Sequence, residues 1–93
     1  MSALYDTTCQ LLLAGPGSQV NLMDGLNLIY TAVDTAHCLV LYRQFATITA
    51  DEIADAANAI AAHTGLPLVG LTSSADAWQT FHRVRLEWET PTP

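Results

Sequence analysis

Thr49 stands three residues ahead of Glu52, with Ile48 before the pair and Ile53 just after it. The pattern is a capping box with a hydrophobic staple: the threonine hydroxyl and the glutamate carboxylate each satisfy an amide that the first helical turn would otherwise leave unpaired. Ile53, Ala56, Ala57, Ile60 and Ala61 recur at three- and four-residue spacing, and Gly65 supplies a left-handed residue to close the helix. The sequence therefore predicts a helix from Thr49 to about Thr64 with one narrow apolar stripe. Its alanines let it lie close to whatever it covers.

Two apolar runs flank this helix, Cys38 to Tyr42 before it and Leu66 to Thr72 after it. Neither alternates cleanly, which is the signature of strands buried on two faces, as in a parallel sheet. A strand, a helix and a strand with short connections predict a right-handed β-α-β crossover unit. Pro67 lacks an amide donor and belongs at the start of its strand or on an edge. The expected fold class is α/β (or α+β): a small single domain with N-terminal helices, the crossover unit and a C-terminal edge strand.

Elsewhere the signals are weaker. Tyr5, Cys9, Leu12 and Leu13 would share a helical face, so residues 2–14 read as a helix in preference to a strand, ending at the Gly15-Pro16-Gly17-Ser18 turn. Asn21 and Asp24 resemble a helix start, and Leu22, Leu26, Ile29 and Val33 a stripe reaching Ala36, although Gly25 inside it costs about 1 kcal/mol. Ser74 can cap a short helix through Asp76, Trp78 and Phe81. From His82 to Glu89 the sequence alternates, with Val84, Leu86 and Trp88 on one face and Arg83, Arg85, Glu87 and Glu89 on the other, as in a half-buried strand. A continuous helix through Trp78, Phe81, Arg85 and Trp88 is the competing reading. Residues 1–89 read as one domain, and Thr90-Pro91-Thr92-Pro93 as a mobile tail.

Composition removes several function classes. The 93 residues carry nine Asp and Glu against three arginines and no lysine, for a net charge of −6. Nucleic-acid affinity needs several cations to release counterions, so no nucleic-acid partner is expected. Without lysine there is no Walker phosphate loop, no pyridoxal Schiff base and no Ser-Lys nucleophile pair. No apolar stretch approaches the ~20 residues that span a bilayer, and no basic and apolar export signal follows Met1. With only Cys9 and Cys38 as thiols, a reducing, cytoplasmic setting is expected.

The chemistry-bearing residues suit bland roles as well as functional ones. Gly15-Pro16-Gly17 lacks the third glycine of a dinucleotide fingerprint, and a plain turn suffices. Asp51 and Glu52 in a first helical turn offset the helix dipole, and His63 in the last turn does the same at the other end. His37, His63 and His82 have no metal-ligand spacing, so neither a metal nor any other cofactor is expected. Gly70-Leu71-Thr72-Ser73-Ser74 lacks the second glycine of a nucleophile elbow, and no catalytic residue is assigned. Should a ligand pocket exist, the ends of parallel strands are its natural place, which points to Arg43, Thr47, Thr72, Ser73 and Ser74.

The last strand suggests an interface. Two arginines followed by two glutamates are self-complementary when antiparallel to a copy, pairing Arg83 with Glu89 and Arg85 with Glu87 across a two-fold axis. Trp78, Phe81 and Trp88 add the residue types that dominate interface cores. The chain is 51% apolar, slightly more than a small lone domain buries. The leading expectation is a noncatalytic protein–protein interaction module acting as an assembly, adaptor or inhibitor protein, partnered by itself as a dimer or by another protein. The alternative is a protein that binds or sequesters an anionic metabolite or nucleotide at the strand ends. A small enzyme using His37 or His82 as acid or base is the third reading.

Overall fold

Arg43 sits where four segments meet. In the computed structural model, which describes residues 3–24, 27–66, 68–75 and 81–88, its guanidinium is 5% exposed and clamps the carboxylate of Glu52, itself 17% exposed, through both terminal nitrogens. The same side chain donates to the carbonyls of Leu28 and Thr47, at 3.3 and 3.1 Å. One arginine thus joins two strands, a loop and a helix start.

That helix, α2 (Ala50–Thr64), forms as its pattern predicts. Thr49 is the N-cap, its hydroxyl accepts from the Glu52 amide, and Glu52 Oε1 accepts from the Thr49 amide at 2.9 Å. Gly65 closes the helix at φ 68°, donating to the Ala61 carbonyl. Ala56, Ala59 and Ile60 are buried, with Ile53 and Ala57 at the margin of the core. The other helix, α1 (Ala3–Ala14), also forms, but on a different phase: Leu4, Thr8, Leu11 and Leu12 face inward, while Leu13 is exposed. Gly15 and Gly17 then turn the chain with φ near 90°, and Gly17 and Ser18 bond across to Val33.

The segment expected to be a helix over 21–36 is instead a hairpin, β1 (Gln19–Asp24) with β2 (Asn27–Thr35). Leu22, Ile29 and Val33 fit a helical stripe, but Ile29, Thr31 and Val33 fit a two-residue period equally well, and they are β-branched. Asp24-Gly25 ahead of Leu26-Asn27 is a hairpin signal that outweighs a tolerated helix glycine. The connecting positions 25 and 26 lie outside the described residues.

The remaining strands are β3 (Cys38–Gln44), β4 (Leu68–Ala75) and β5 (Phe81–Trp88). The sheet order is β1-β2-β3-β5-β4, with every neighbouring pair antiparallel. The fold is therefore mixed α+β. Because β3 and β4 each run antiparallel to β5, they run parallel to one another, so β3-α2-β4 is a crossover split by an inserted strand. The C-terminal strand forms as its alternation predicts but lies inside the sheet, not at its edge. Ser74 belongs to β4; positions 67, 76–80 and 89–93, with most of the expected short helix, Trp78, Glu89 and the expected tail, lie outside the described residues.

Both helices contribute to a single core with Ile29, Val33, Leu39, Leu41, Val84, Leu86 and Trp88, all residues of one sheet face. Burial on two faces, expected for the apolar runs, does not occur: β3 alternates between buried Leu39 and Leu41 and half-buried Val40 and Tyr42, and β4 exposes Val69 and Leu71. Among the described residues, the helices cover one face of the layer.

Burial pushes the Glu52 carboxyl up, but the hydrogen bonds from Arg43 and the Thr49 amide outweigh it and hold the group below the ordinary carboxylate range. A lowered folded value stabilises fully above the unfolded value, about 4.3, and the contribution is lost as pH falls through the folded one. Urea titrations across acid pH should therefore show the wild type losing stability more steeply than Glu52→Gln. At neutral pH, Arg43→Ala should cost about 3 kcal/mol, because a buried carboxylate loses its partner. Thr31→Val should raise the melting temperature, since the Thr31 hydroxyl is buried and has no hydrogen-bond partner among the described residues.

Candidate functional site

The split crossover brings the C-terminal ends of β3 and β4 to the same margin of the sheet, on either side of the start of β5, where Gln44 pairs with Phe81 and Ala75 with His82. Strand ends are thus where the sequence places a site, although the strands are not adjacent. Two depressions open there, and Phe45 and Ala46 border both.

The smaller, about 260 Å3, is lined by Thr47, Ser73 and Ser74 together with Phe81 and His82. Three of the five residues proposed from sequence as ligand contacts therefore converge. Thr72 does not join them; it lies one residue pair further from the strand end than Ser73, across from Arg85. Arg43 is buried against Glu52, because the capping carboxylate lies within its reach, and it also borders the larger depression.

His82 organises this groove. Its Nδ1 accepts from the Ile48 amide at 2.8 Å, so in the neutral ring the proton resides on Nε2, which donates to Ser73 Oγ at 2.6 Å. In this arrangement the ring offers the serine no lone pair, and a general base would need one. The imidazole ties the loop before α2 to the end of β4. His37 and His63 lie apart from it, His37 in the β2–β3 turn and His63 in the last turn of α2. Among the described residues, no three His, Cys, Asp or Glu side chains converge.

The larger depression, about 720 Å3, lies on the sheet face that neither helix covers. Its walls come from Leu28 and Tyr30 of β2, Val40 and Tyr42 of β3, Phe45 beyond β3 and Arg83 of β5. Tyr30 hydrogen-bonds through its hydroxyl to Gln19, and Tyr42 stacks on Phe81 with ring centroids 5.8 Å apart. Phe45 is 80% exposed and holds φ at 63°. A left-handed backbone costs a bulky residue on the order of 1–3 kcal/mol, and such strain persists only where the surroundings enforce it.

The cations divide unevenly. Arg85 pairs with Asp34 at 3.3 Å and with Glu87 at 3.7 Å on this same open face. Arg43 belongs to Glu52. Arg83 has no ion pair among the described residues, and its cross-strand neighbours are Tyr42 and Ser74. The self-pairing foreseen for β5 is closed to it, because β3 and β4 occupy both its hydrogen-bonding edges; Arg85 meets Glu87 within one chain instead. Trp88 is in the core, and Phe81 is half-buried.

Sequence reasoning missed Tyr30, Tyr42 and Phe45. The signal was present: an apolar run that does not alternate has two apolar faces, and here one faces the helices while the other faces outward. Cys38 lies on the outward face yet is buried beside the Arg85, Asp34 and Glu87 side chains; burial pushes its thiol up, Arg85 opposes this, and the two carboxylates reinforce it. No family model matches the chain, nor does any curated protein or solved structure. The Cys38 environment has a direct readout: iodoacetamide near neutral pH should label Cys38 far more slowly in the folded protein than in urea.

Proposed function

We propose that this chain is a noncatalytic interaction domain that associates with a second copy of itself through the edge of β4 that no described strand pairs with. The observation that carries the reading is the character of that edge. Alone among the five strands, β4 (Leu68–Ala75) contains no Asp, Glu, Lys or Arg, and its Val69 and Leu71 are 62% and 55% exposed. Free sheet edges present unpaired amides and carbonyls, and stable monomers blunt them with charges, prolines or covering loops. β4 has none of the charges.

An acidic chain pairs with its own copy most readily where neither contributes a carboxylate, since like charges placed directly opposite are destabilising. β1, at the other edge, ends in Asp24. An antiparallel β4–β4 pair about a two-fold axis normal to the sheet would continue it across two protomers and keep all the helices on one face. The free thiols Cys9 and Cys38 are compatible with a reducing, cytoplasmic setting. No helix among the described residues is long and apolar enough to cross a membrane.

Sedimentation equilibrium tests the reading. A monomer–dimer equilibrium is expected that strengthens as salt screens the −6 charge of each chain. Leu71→Lys should weaken it at least tenfold, about 1.4 kcal/mol, without altering the circular dichroism. A chain that stays monomeric at millimolar concentration, or a Leu71→Lys variant that dimerises as the wild type does, overturns it.

A further inference from the structure

The larger depression has a composition that the edge of β4 does not explain. Its floor is the open face of the sheet, and its walls are the rings of Tyr30, Tyr42 and Phe45 beside Leu28 and Val40. A volume of about 720 Å3 falls in the range of small-molecule sites, which pair apolar walls with a few polar groups that fix orientation. Here the fixing group is Arg83, the one arginine without an ion pair among the described residues. We propose that this depression binds a planar aromatic monocarboxylate, its ring system against Tyr42 and under Phe45, its carboxylate on the Arg83 guanidinium.

Each part of that assignment follows from the surroundings. A guanidinium presents parallel donors that match a carboxylate, and it is weakly hydrated beside aromatic faces. A single anionic group suits the site because Arg83 alone among the arginines has no ion pair with the described residues, and the whole chain carries −6, a field that opposes a polyanion. Arg85, two residues along the same strand face, is already occupied by Asp34 and Glu87. Planarity follows from the rings of Tyr30, Tyr42 and Phe45 that line the site, because aromatic pairs prefer offset stacking. The Tyr42–Phe81 stack and the Tyr30–Gln19 hydrogen bond hold two of the rings in place before a ligand arrives.

Phe45 is the second, independent observation. A phenylalanine 80% exposed in a left-handed conformation gains nothing for the fold that glycine would not supply at lower cost. It stands at the rim of the depression, where a ring can cover a bound planar molecule. Backbone strain retained at a rim and repaid only on binding accounts for both its exposure and its angle.

The test is a titration by 1H–15N NMR with indole-3-acetate and 2-naphthoate, their neutral amides, and octanoate as a flexible carboxylate of comparable apolar content. Both aromatic acids should shift the amides of Tyr42, Phe45 and Arg83, and bind at least tenfold more tightly than their amides or octanoate. Arg83→Gln should bring the acids down to the affinity of the amides and leave the amides unchanged. Phe45→Gly should melt higher than the wild type and bind both acids and amides less tightly, which separates loss of the ring from loss of the fold. No shift with any probe at millimolar concentration overturns the proposal. So do shifts confined to the groove at Ser73 and His82, an Arg83→Gln variant that keeps the preference for acids, or a Phe45→Gly variant that binds as the wild type does.

Discussion

The Arg43–Glu52 pair governs the rest of the structure because each partner is already committed to a second task. Glu52 completes the capping box at the start of α2, and Arg43 is the last inward-facing residue of β3, so their bond sets where the helix begins above the sheet. The bonds of Arg43 to the Leu28 and Thr47 carbonyls bring in β2 and the intervening loop. A charged pair this deep is stable only when its polar atoms find partners, and here each guanidinium nitrogen and each carboxylate oxygen has one. The pair gives direction rather than bulk: the core is apolar, but its register with the helix is ionic.

Placing both helices on one side leaves a five-stranded sheet with an open face, and most of what is distinctive about the molecule follows. Residues on that face must be tolerable in water, yet the run of strand β3 and the facing part of β2 place Leu28, Tyr30, Val40 and Tyr42 there. Tyrosine suits such a position, since its ring packs while its hydroxyl stays hydrated. At one end of the face Arg85, Asp34 and Glu87 form a charged cover over Cys38; at the other, aromatic rings surround a lone arginine. Surface ion pairs of this kind contribute little stability. Their effect here is to leave Arg83 as the one uncommitted cation among the described residues.

Edge and face are separate surfaces in this fold. The uncharged β4 lies along one side of the sheet, whereas the aromatic depression is framed by β2, β3 and β5, so occupation of one need not block the other. Ser74 and Arg83 are cross-strand partners, which places the two surfaces within one residue pair of each other. The His82–Ser73 link lies on the helix-covered side and stiffens the margin between them.

Local order was legible in the sequence wherever a residue's partner lay within a few positions. Thr49 with Glu52, Gly65 as a stop, the Gly15–Ser18 turn and the alternation from His82 to Trp88 all depend on neighbours that the chain itself supplies, and all appear in the fold. The hairpin at 19–35 was not legible by stripe counting, because Ile29 and Val33 fit a helical stripe with Leu22 and a two-residue period with Thr31; pairing with β1 and β3 selects the strand. Nor could the sequence show that β5 inserts between β3 and β4, since strand order depends on hydrogen bonds between residues some forty positions apart. That insertion closed the self-pairing edge expected of β5, exposed β4 in its place, and committed Arg43 to the interior while leaving Arg83 outside. Spacing along the chain determines which elements form. Which faces they cover, and which charges remain free, is decided only when distant segments compete for the same neighbours.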